Sequence, residues 1–390
     1  MNQPCNTSER PARILYVIDT LEVGGAERSL GELVRRVDRR RFEIHVCHVY
    51  AGDALRGAIE EAGSDVVCLE VPEKYHFVTA VRRLLRTIDR LRPDLIHTTL
   101  FRADQIGRLA GAIKRVPVVS SLVNVSYDTI RLRDNPHLTW WKLRAMQAMD
   151  MLTCRLVRRF HAVAESVKTA NVAHLRIRPD RVTVVPRGRE LARFANAPLA
   201  NSAAWAGQAD RPRVVSVGRL IDQKGHKYLI EAMPAVQAAF PSATLQIAGS
   251  GWAESSLRDL ALRLGVASAV QFLGQRDDIP RLLDQADVFA FPSLYEGLPG
   301  AVLEAMLAGR PVVASDLPVA HELIDQGIHG LLVPRMDAKA LAVAIVQLLG
   351  DDRLRQRIAA EARRRARERF DIENVVRQME TIWSEVSMGR

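Results

Sequence analysis

The chain has 390 residues, 48% of them apolar, which is enough to bury two cores and is more naturally two domains than one. Its first residues lack the apolar stretch of a signal peptide, and no later segment is apolar for the roughly 20 residues that a spanning helix needs, so a cytoplasmic location is expected. A net charge of +10, mostly arginine, favours anionic partners: nucleotide sugars, phosphorylated lipids, acidic membrane surfaces or nucleic acid. Cys5, Cys47, Cys68 and Cys154 show no C-x-x-C or Cys/His ligand spacing, so neither a zinc site nor a disulfide framework is indicated.

The first predicted strand, RILYVID at 13–19, is a continuous apolar run of buried parallel type, and Gly24 and Gly25 then open an amphipathic helix. Their spacing is not that of the dinucleotide fingerprint, and in isolation a plain helix entry is the better reading. Strand and helix signals alternate through FEIHVCHV, ALRGAIEEAG, DVVCLE, AVRRLLRTIDRLR, DLIHTTL, RADQIGRLAGAI and PVVSSLV, as in a parallel sheet wrapped by helices. His97 closes DLIHTT on the crevice side of that sheet, where a lone histidine is more often packed or capping. Residues 127–160 turn basic and partly aromatic, with Trp140, Trp141, Arg144, Arg155, Arg158 and Arg159 among Leu and Met. Such a helix either lies on an anionic membrane surface or snorkels its arginines over the core. No nucleic-acid recognition module accompanies the charge.

FHAVAESVKTANVAHL reads as a small strand and helix, RVTVVPRGRE as a further strand and turn, and the Ala/Asn/Gly/Pro-rich stretch 192–211 as an interdomain linker. This divides the chain into 1–205 and 206–371, followed by a last helix at 372–390. In RVVSVGRLIDQKGHKYLIEAM a strand delivers Arg219 and a loop carries Lys224 and Gly225. Arg219 offers a planar fork for two phosphate oxygens and Lys224 a movable point charge. ATLQIAG, the turn Gly249-Ser250-Gly251, ESSLRDLALRLG and VQFLG continue the alternation.

In FPSLYEGLPGAVLEAMLAGRPVVAS, residues 291–315, a strand end passes through a breaker-rich turn into a helix and a β-branched strand. The loop sits at the carboxyl end of a parallel strand, where open α/β sheets bind ligands. Backbone amides of Gly297, Leu298, Gly300 and Ala301 can donate to a ligand there. Glu296 lies in the loop and Glu304 one turn into the helix, beside a low flank of Gly300, Ala301 and Ala308. Each carboxylate can accept the two hydroxyls of a vicinal diol. An isolated E-x7-E spacing more often marks an ordinary helix entry and a solvated face.

The flank decides between these readings, because it closely resembles the signature of the retaining family-4 glycosyltransferases. That resemblance implies a GT-B architecture, α/β with two Rossmann-like domains facing each other across a cleft. The first would be the acceptor domain, with the C-terminal helix packing back on it, and the second would bind the nucleotide sugar. It also implies that Glu296 touches the donor sugar's hydroxyls, that Glu304 holds the nucleotide ribose, and that Arg219 and Lys224 clamp the diphosphate in G-R-L-x-x-x-K-G. Gly24 and Gly25 would face the cleft near the phosphates and Gly249 and Gly251 the nucleotide, and His97 would join Arg219, Lys224 and Glu296 as a catalytic residue, while the family's second histidine, which contacts the donor sugar, is replaced by Thr99.

The implied reaction moves a hexosyl group from a UDP-, GDP- or ADP-sugar to a glycan or glycolipid hydroxyl, with no cofactor and no metal and without nucleic acid; an anionic membrane surface stays open as a partner on the basic stretch 127–160 alone. Thr99 and Val123 stand where the family often has histidine, and Arg187 and Arg189 replace the usual residues of a V-I-P-N-G-V-D-like motif. These departures leave two alternatives open: a soluble sugar or sugar-phosphate acceptor, and a membrane-bound scaffold without catalysis.

Overall fold

A computed structural model describes residues 10–22, 24–72, 76–134, 138–194 and 211–388. Most of the expected linker and the 205/206 boundary lie outside them.

The first sheet comprises β1 (Ala12–Ile18), β2 (Phe42–His48), β3 (Asp65–Cys68), β4 (Leu95–Thr99), β5 (Val118–Leu122), β6 (Arg159–Ala162) and β7 (Val182–Val184), in the order β3-β2-β1-β4-β5-β6-β7. The second comprises β8 (Arg213–Val217), β9 (Thr244–Ala248), β10 (Val270–Phe272), β11 (Val288–Phe291), β12 (Val312–Ser315) and β13 (Leu331–Val333), in the order β10-β9-β8-β11-β12-β13. Every named pairing is parallel, with Ile14 for example level with both Ile44 and Leu95. Helices cover both faces of such a sheet, so its central strands are buried along their whole length and not on alternate residues: β4, β5, β11 and β12 are buried throughout, the polar side chains of β4 and β5 included.

Both sheets therefore reverse strand order at their first strand, between β1 and β4 and between β8 and β11. Each reversal opens a crevice at the carboxyl ends of the strands. Gly24 follows β1, His97 lies in β4, Arg219 follows β8 and Glu296 follows β11.

The chain crosses back once more. The helix Ile372–Met388 buries Val375, Met379, Ile382 and Trp383 in the core formed by β1 and β2. Trp383 packs edge-on against Phe42, and the Glu380 carboxylate accepts the Asp38 amide at 2.8 Å. The two domains share a continuous apolar cluster in which Leu298, Val302 and Leu303 join Leu122, Val163 and Phe194. Glu322 adds a polar tie: its carboxylate accepts the backbone amides of Glu165 and Ser166 at 2.8 Å and the Ser166 hydroxyl at 2.6 Å. It thereby caps the helix Glu165–Leu175 from the opposite domain.

Candidate active site

On the second domain's side two loops are stitched together. Gly225, at φ +65°, lies so close to the Pro292 carbonyl that a Cβ there would stand 2.0 Å from its oxygen. Only glycine fits that approach and that backbone. The Leu294 amide donates to the Gln223 carbonyl and the Gln223 side chain to the Tyr295 carbonyl, both at 2.8 Å. Residues 72 apart in sequence thus meet: Lys224 Nζ donates to Glu296 Oε1 at 2.5 Å, and the Ser293 hydroxyl donates to the same oxygen at 2.6 Å. The pair is largely buried, and both of these contacts fall on Oε1, with no hydrogen bond to Oε2 among the described residues.

Arg219 stands exposed at the end of β8 with no ion pair to a described residue. The glycines of the 249–251 turn support that strand end: a Cβ on Gly249 would lie 2.0 Å from the Gly218 carbonyl oxygen, and one on Gly251 2.3 Å from that of Leu220. The Leu220 amide donates to the Ser250 carbonyl at 2.9 Å. These glycines are close-approach positions that set where Arg219 emerges.

The low flank of Glu304 is real, and a side chain from the first domain fills it. Arg189 Nε donates to Glu304 Oε1 at 2.8 Å in an ion pair buried on both sides. A Cβ on Gly300 would lie 1.8 Å from the Arg189 guanidinium. The backbone of Arg189 is held in turn, its amide donating to Phe370 and its carbonyl accepting from Ile372, at the return of the chain to the first domain. Gly297 meets the other domain as closely, since a Cβ there would lie 1.9 Å from the Val123 carbonyl oxygen.

On the first domain's side, Gly24 and Gly25 make room for side chains. A Cβ on Gly24 would stand 2.2 Å from Glu27 Oε2, and one on Gly25 2.7 Å from an Arg187 nitrogen. Glu27 folds back over its own helix start. Burial raises its carboxyl pKa, opposed by the amides of Glu27 and Ala26 and by the charges of Arg219 and Arg187. Arg187 bridges the cleft, donating to the Leu298 carbonyl at 3.1 Å. Burial, with Arg189 next to it, pulls its pKa down to about 10.

His97 lies beneath this wall, with both ring nitrogens engaged. The Trp383 indole donates to its Nδ1 at 2.9 Å, which places the ring proton on Nε2, bonded to Ser121 Oγ at 2.7 Å. Ser121 then donates to His161 Nδ1 at 2.9 Å, and His161 Nε2 donates to the Val185 carbonyl at 2.8 Å. Burial holds His97 well below the usual histidine range and brings His161 to about 4, so both rings are neutral. Above them, Tyr16 and Thr99 share a 2.7 Å hydrogen bond and line a cavity of ≈ 50 Å³ with Arg187 and Val123.

The structure thus gathers Arg219, Lys224, Glu296, Glu304, Gly24 and Gly25 at one cleft and sets His97 one layer back. It adds Glu27, Arg187, Arg189 and Ser293, which the sequence reading leaves without roles. Glu27 lies two residues after Gly25, at the helix start those glycines open, whereas nothing local marks Arg189 as the partner of Glu304. Among the described residues no group of three or more His, Cys, Asp or Glu side chains could hold a metal ion, and no helix is long and apolar enough to cross a membrane.

Two Rossmann-like domains of this topology, closed on a cleft lined at both strand-order reversals, define the GT-B class. Its fold is shared with sucrose-phosphate synthase from Thermosynechococcus elongatus (TM-score 0.80, 19% identity, 97% of this chain and 100% of that one). The HepE protein of Anabaena, solved with UDP-glucose, superposes with TM-score 0.78 at 25% identity over 96% of this chain and 99% of its own. Family models described as Glycosyltransferase Family 4 and Glycosyl transferases group 1 match residues 23–193 and 211–351. A phosphatidyl-myo-inositol mannosyltransferase of Mycobacterium leprae is 32% identical over 292 residues, 68% of this chain and 75% of that protein. The chain belongs to glycosyltransferase family 4. It spans about half the length of other curated relatives it matches, such as the Mycolicibacterium smegmatis phosphatidyl-myo-inositol mannosyltransferase, 37% identical over 52% of each chain.

Proposed function

We propose that this protein transfers a hexosyl group from a nucleoside diphosphate sugar to a hydroxyl of a lipid-linked or cell-envelope glycan, with retention at the anomeric carbon. The observation that carries the reading is the Lys224–Glu296 pair beside Arg219, at the strand-order reversal of the second sheet and facing the Gly24–Gly25 turn of the first.

The bond from the anomeric carbon to the diphosphate breaks, and negative charge gathers on the departing oxygens. Arg219 and Lys224 stabilise it in a cleft that excludes water, the electrostatic preorganisation that commonly dominates catalysis. The acceptor oxygen bonds to the same face of the anomeric carbon and its proton passes to the departing phosphate. Glu296, held at Oε1 by Lys224 and Ser293, orients the sugar through Oε2. The ribose takes Glu304 in exchange for Arg189, so donor binding and the interdomain ion pair compete for one carboxylate. HepE, solved with UDP-glucose, and an Escherichia coli galactosyltransferase named for UDP-Gal and a diphosphoundecaprenol glycan (25% identical over 69% of each chain) support the donor class; that galactosyltransferase and the phosphatidyl-myo-inositol mannosyltransferases support a lipid-carried acceptor.

Incubation with UDP-glucose, UDP-galactose, GDP-mannose and ADP-glucose in the presence of a bacterial lipid extract should release nucleoside diphosphate with one donor and add a hexose mass to one lipid class. Release dependent on a water-soluble acceptor alone would move the reading to sugar or sugar-phosphate substrates. No release and no binding heat with any donor would leave the scaffold, the reading that the occupied Glu304 favours.

A further inference from the structure

We propose that Arg187, which enters the cleft from the first domain, is a third cation of the diphosphate site: with donor bound, its guanidinium turns from the Leu298 carbonyl to the distal phosphate, the one that departs from the sugar. This deepens the donor reading above and rests on it.

Arg187 sits where a cation is poorly served. It follows β7 and carries its guanidinium between two helix starts, those of Gly25–Arg36 in the first domain and Gly300–Leu307 in the second. A Cβ on Gly25 would stand 2.7 Å from its Nη1 and 3.5 Å from its Cζ, and the Leu298 carbonyl, just before the second helix, accepts from the same nitrogen at 3.1 Å. A helix start is the positive end of the helix and repels a cation. Arg189 adds a like charge, and burial with that neighbour pulls the Arg187 pKa down to about 10.

No described side chain answers this charge. Arg189 holds Glu304 and Lys224 holds Glu296, whereas Arg187 is in no ion pair with a described residue. The carboxylates that attract it through space are Glu296 and Glu27. The first is held at Oε1 by Lys224 and Ser293, and the second is folded over its own helix start. The bond to Leu298 uses one N–H of five and ends on a neutral oxygen. A glutamine would make that tie without bringing charge into a partly buried cleft, where an unpaired ion is costly. It is the charge, not the tie, that calls for a partner.

Position and charge choose the anion. Arg219 and Arg187 both act on the Glu27 carboxylate, so the two guanidiniums come within electrostatic reach of one point in the cleft, one from each domain. A diphosphate held by Arg219 against the Gly24–Gly25 turn would meet Arg187 on its first-domain side. An anionic group on the acceptor fits less well. Of the side chains named at this cleft, Arg187, Arg189, Arg219 and Lys224 are cations and Glu27, Glu296 and Glu304 carboxylates, and the donor's diphosphate already outweighs that small surplus. When the anomeric C–O bond breaks, its electron pair stays on the distal phosphate. Arg187 meets the added charge with its paired N–H donors until the acceptor's proton reaches the same phosphate. A cation supplied by the first domain also makes this stabilisation depend on the domains being closed on the donor.

Calorimetry of wild type, Arg187→Gln and Arg187→Lys with UDP, GDP and ADP, each beside its monophosphate, tests the assignment. For the base that wild type binds, Arg187→Gln should weaken the diphosphate about 10- to 100-fold and leave the monophosphate within about twofold, which also shows the variant folded. Arg187→Lys keeps the charge and should bind the diphosphate at least about threefold more tightly than Arg187→Gln. With the active donor, kcat of Arg187→Gln should fall about 100-fold at an unchanged acceptor KM. Equal weakening of monophosphate and diphosphate, wild-type diphosphate affinity in Arg187→Gln, or a lysine variant no better than the glutamine one overturns the proposal. So does a loss confined to the acceptor KM, because an acceptor anion would then be the ligand. Wild type without affinity for any diphosphate sinks the donor reading and this one with it; a bound diphosphate indifferent to Arg187 sinks this one alone.

Discussion

The two strand-order reversals occupy equivalent places in their sheets, and their crevices are built in opposite ways. In the second domain, two short loops at neighbouring strand ends supply Arg219, Lys224, Ser293 and Glu296, joined by backbone hydrogen bonds within the same domain. In the first, the histidine at the corresponding depth is sealed in a chain from Trp383 through Ser121 to His161, and the cleft is reached instead by Arg187 and Arg189 from beyond β7. One crevice gathers its charged side chains from within a single domain. The other is braced by the C-terminal helix and reaches across to hold its counterpart shut.

The sharpest break of that contrast is Lys224→Ala, which leaves the buried Glu296 without its partner and, on the proposed reaction, removes a cation from the leaving group. Turnover should fall about 100- to 1,000-fold in steady-state assays while the fold, followed by circular dichroism, persists. Next come Glu304→Gln and Arg189→Gln, compared by UDP calorimetry. The first should weaken binding about tenfold through loss of a charged acceptor, and the second should tighten it, since the competitor is gone. Equal weakening by both would make Arg189 part of the donor grip.

Trp383→Phe should then cost about 2 kcal/mol in denaturant melts by leaving His97 Nδ1 buried without a donor, with little change in UDP affinity. The last effect is confined to acid pH. His161 titrates at about 4 in the fold against 6.5 when free, so its contribution is whole above pH 6.5 and is lost as pH falls towards 4. His161→Asn should flatten that acid slope by up to about 3 kcal/mol across the window, read as the difference from wild type. The difference matters because Asp19, raised by burial to about 7, works in the opposite sense, losing stability as pH rises.

Much of this was legible. The alternation of apolar runs with amphipathic segments announces parallel sheets, and the motif at 291–315 announces the family, because each feature lies within one stretch of chain. Arg187 and Arg189 stood out in the sequence as departures without a role. Their role depends on Glu304 and Leu298, more than 100 residues away, and on Gly300 and Gly25 having no side chains. Glu322 carries no signal in its own stretch for the same reason, since the helix it caps belongs to the other domain. The basic stretch 127–160 showed its charge but not that Arg159 faces inward to Glu385 while Arg155 and Arg158 face out.

By itself the sequence determined which segments become strands and helices and which loops end at a sheet's carboxyl edge, because hydrophobic period and turn chemistry act between near neighbours. Tertiary structure alone decided which charge meets which. Lys224 finds Glu296 and Arg189 finds Glu304 only once two sheets and a returning C-terminal helix have closed on each other, and burial, not residue type, then sets the strength of each pair.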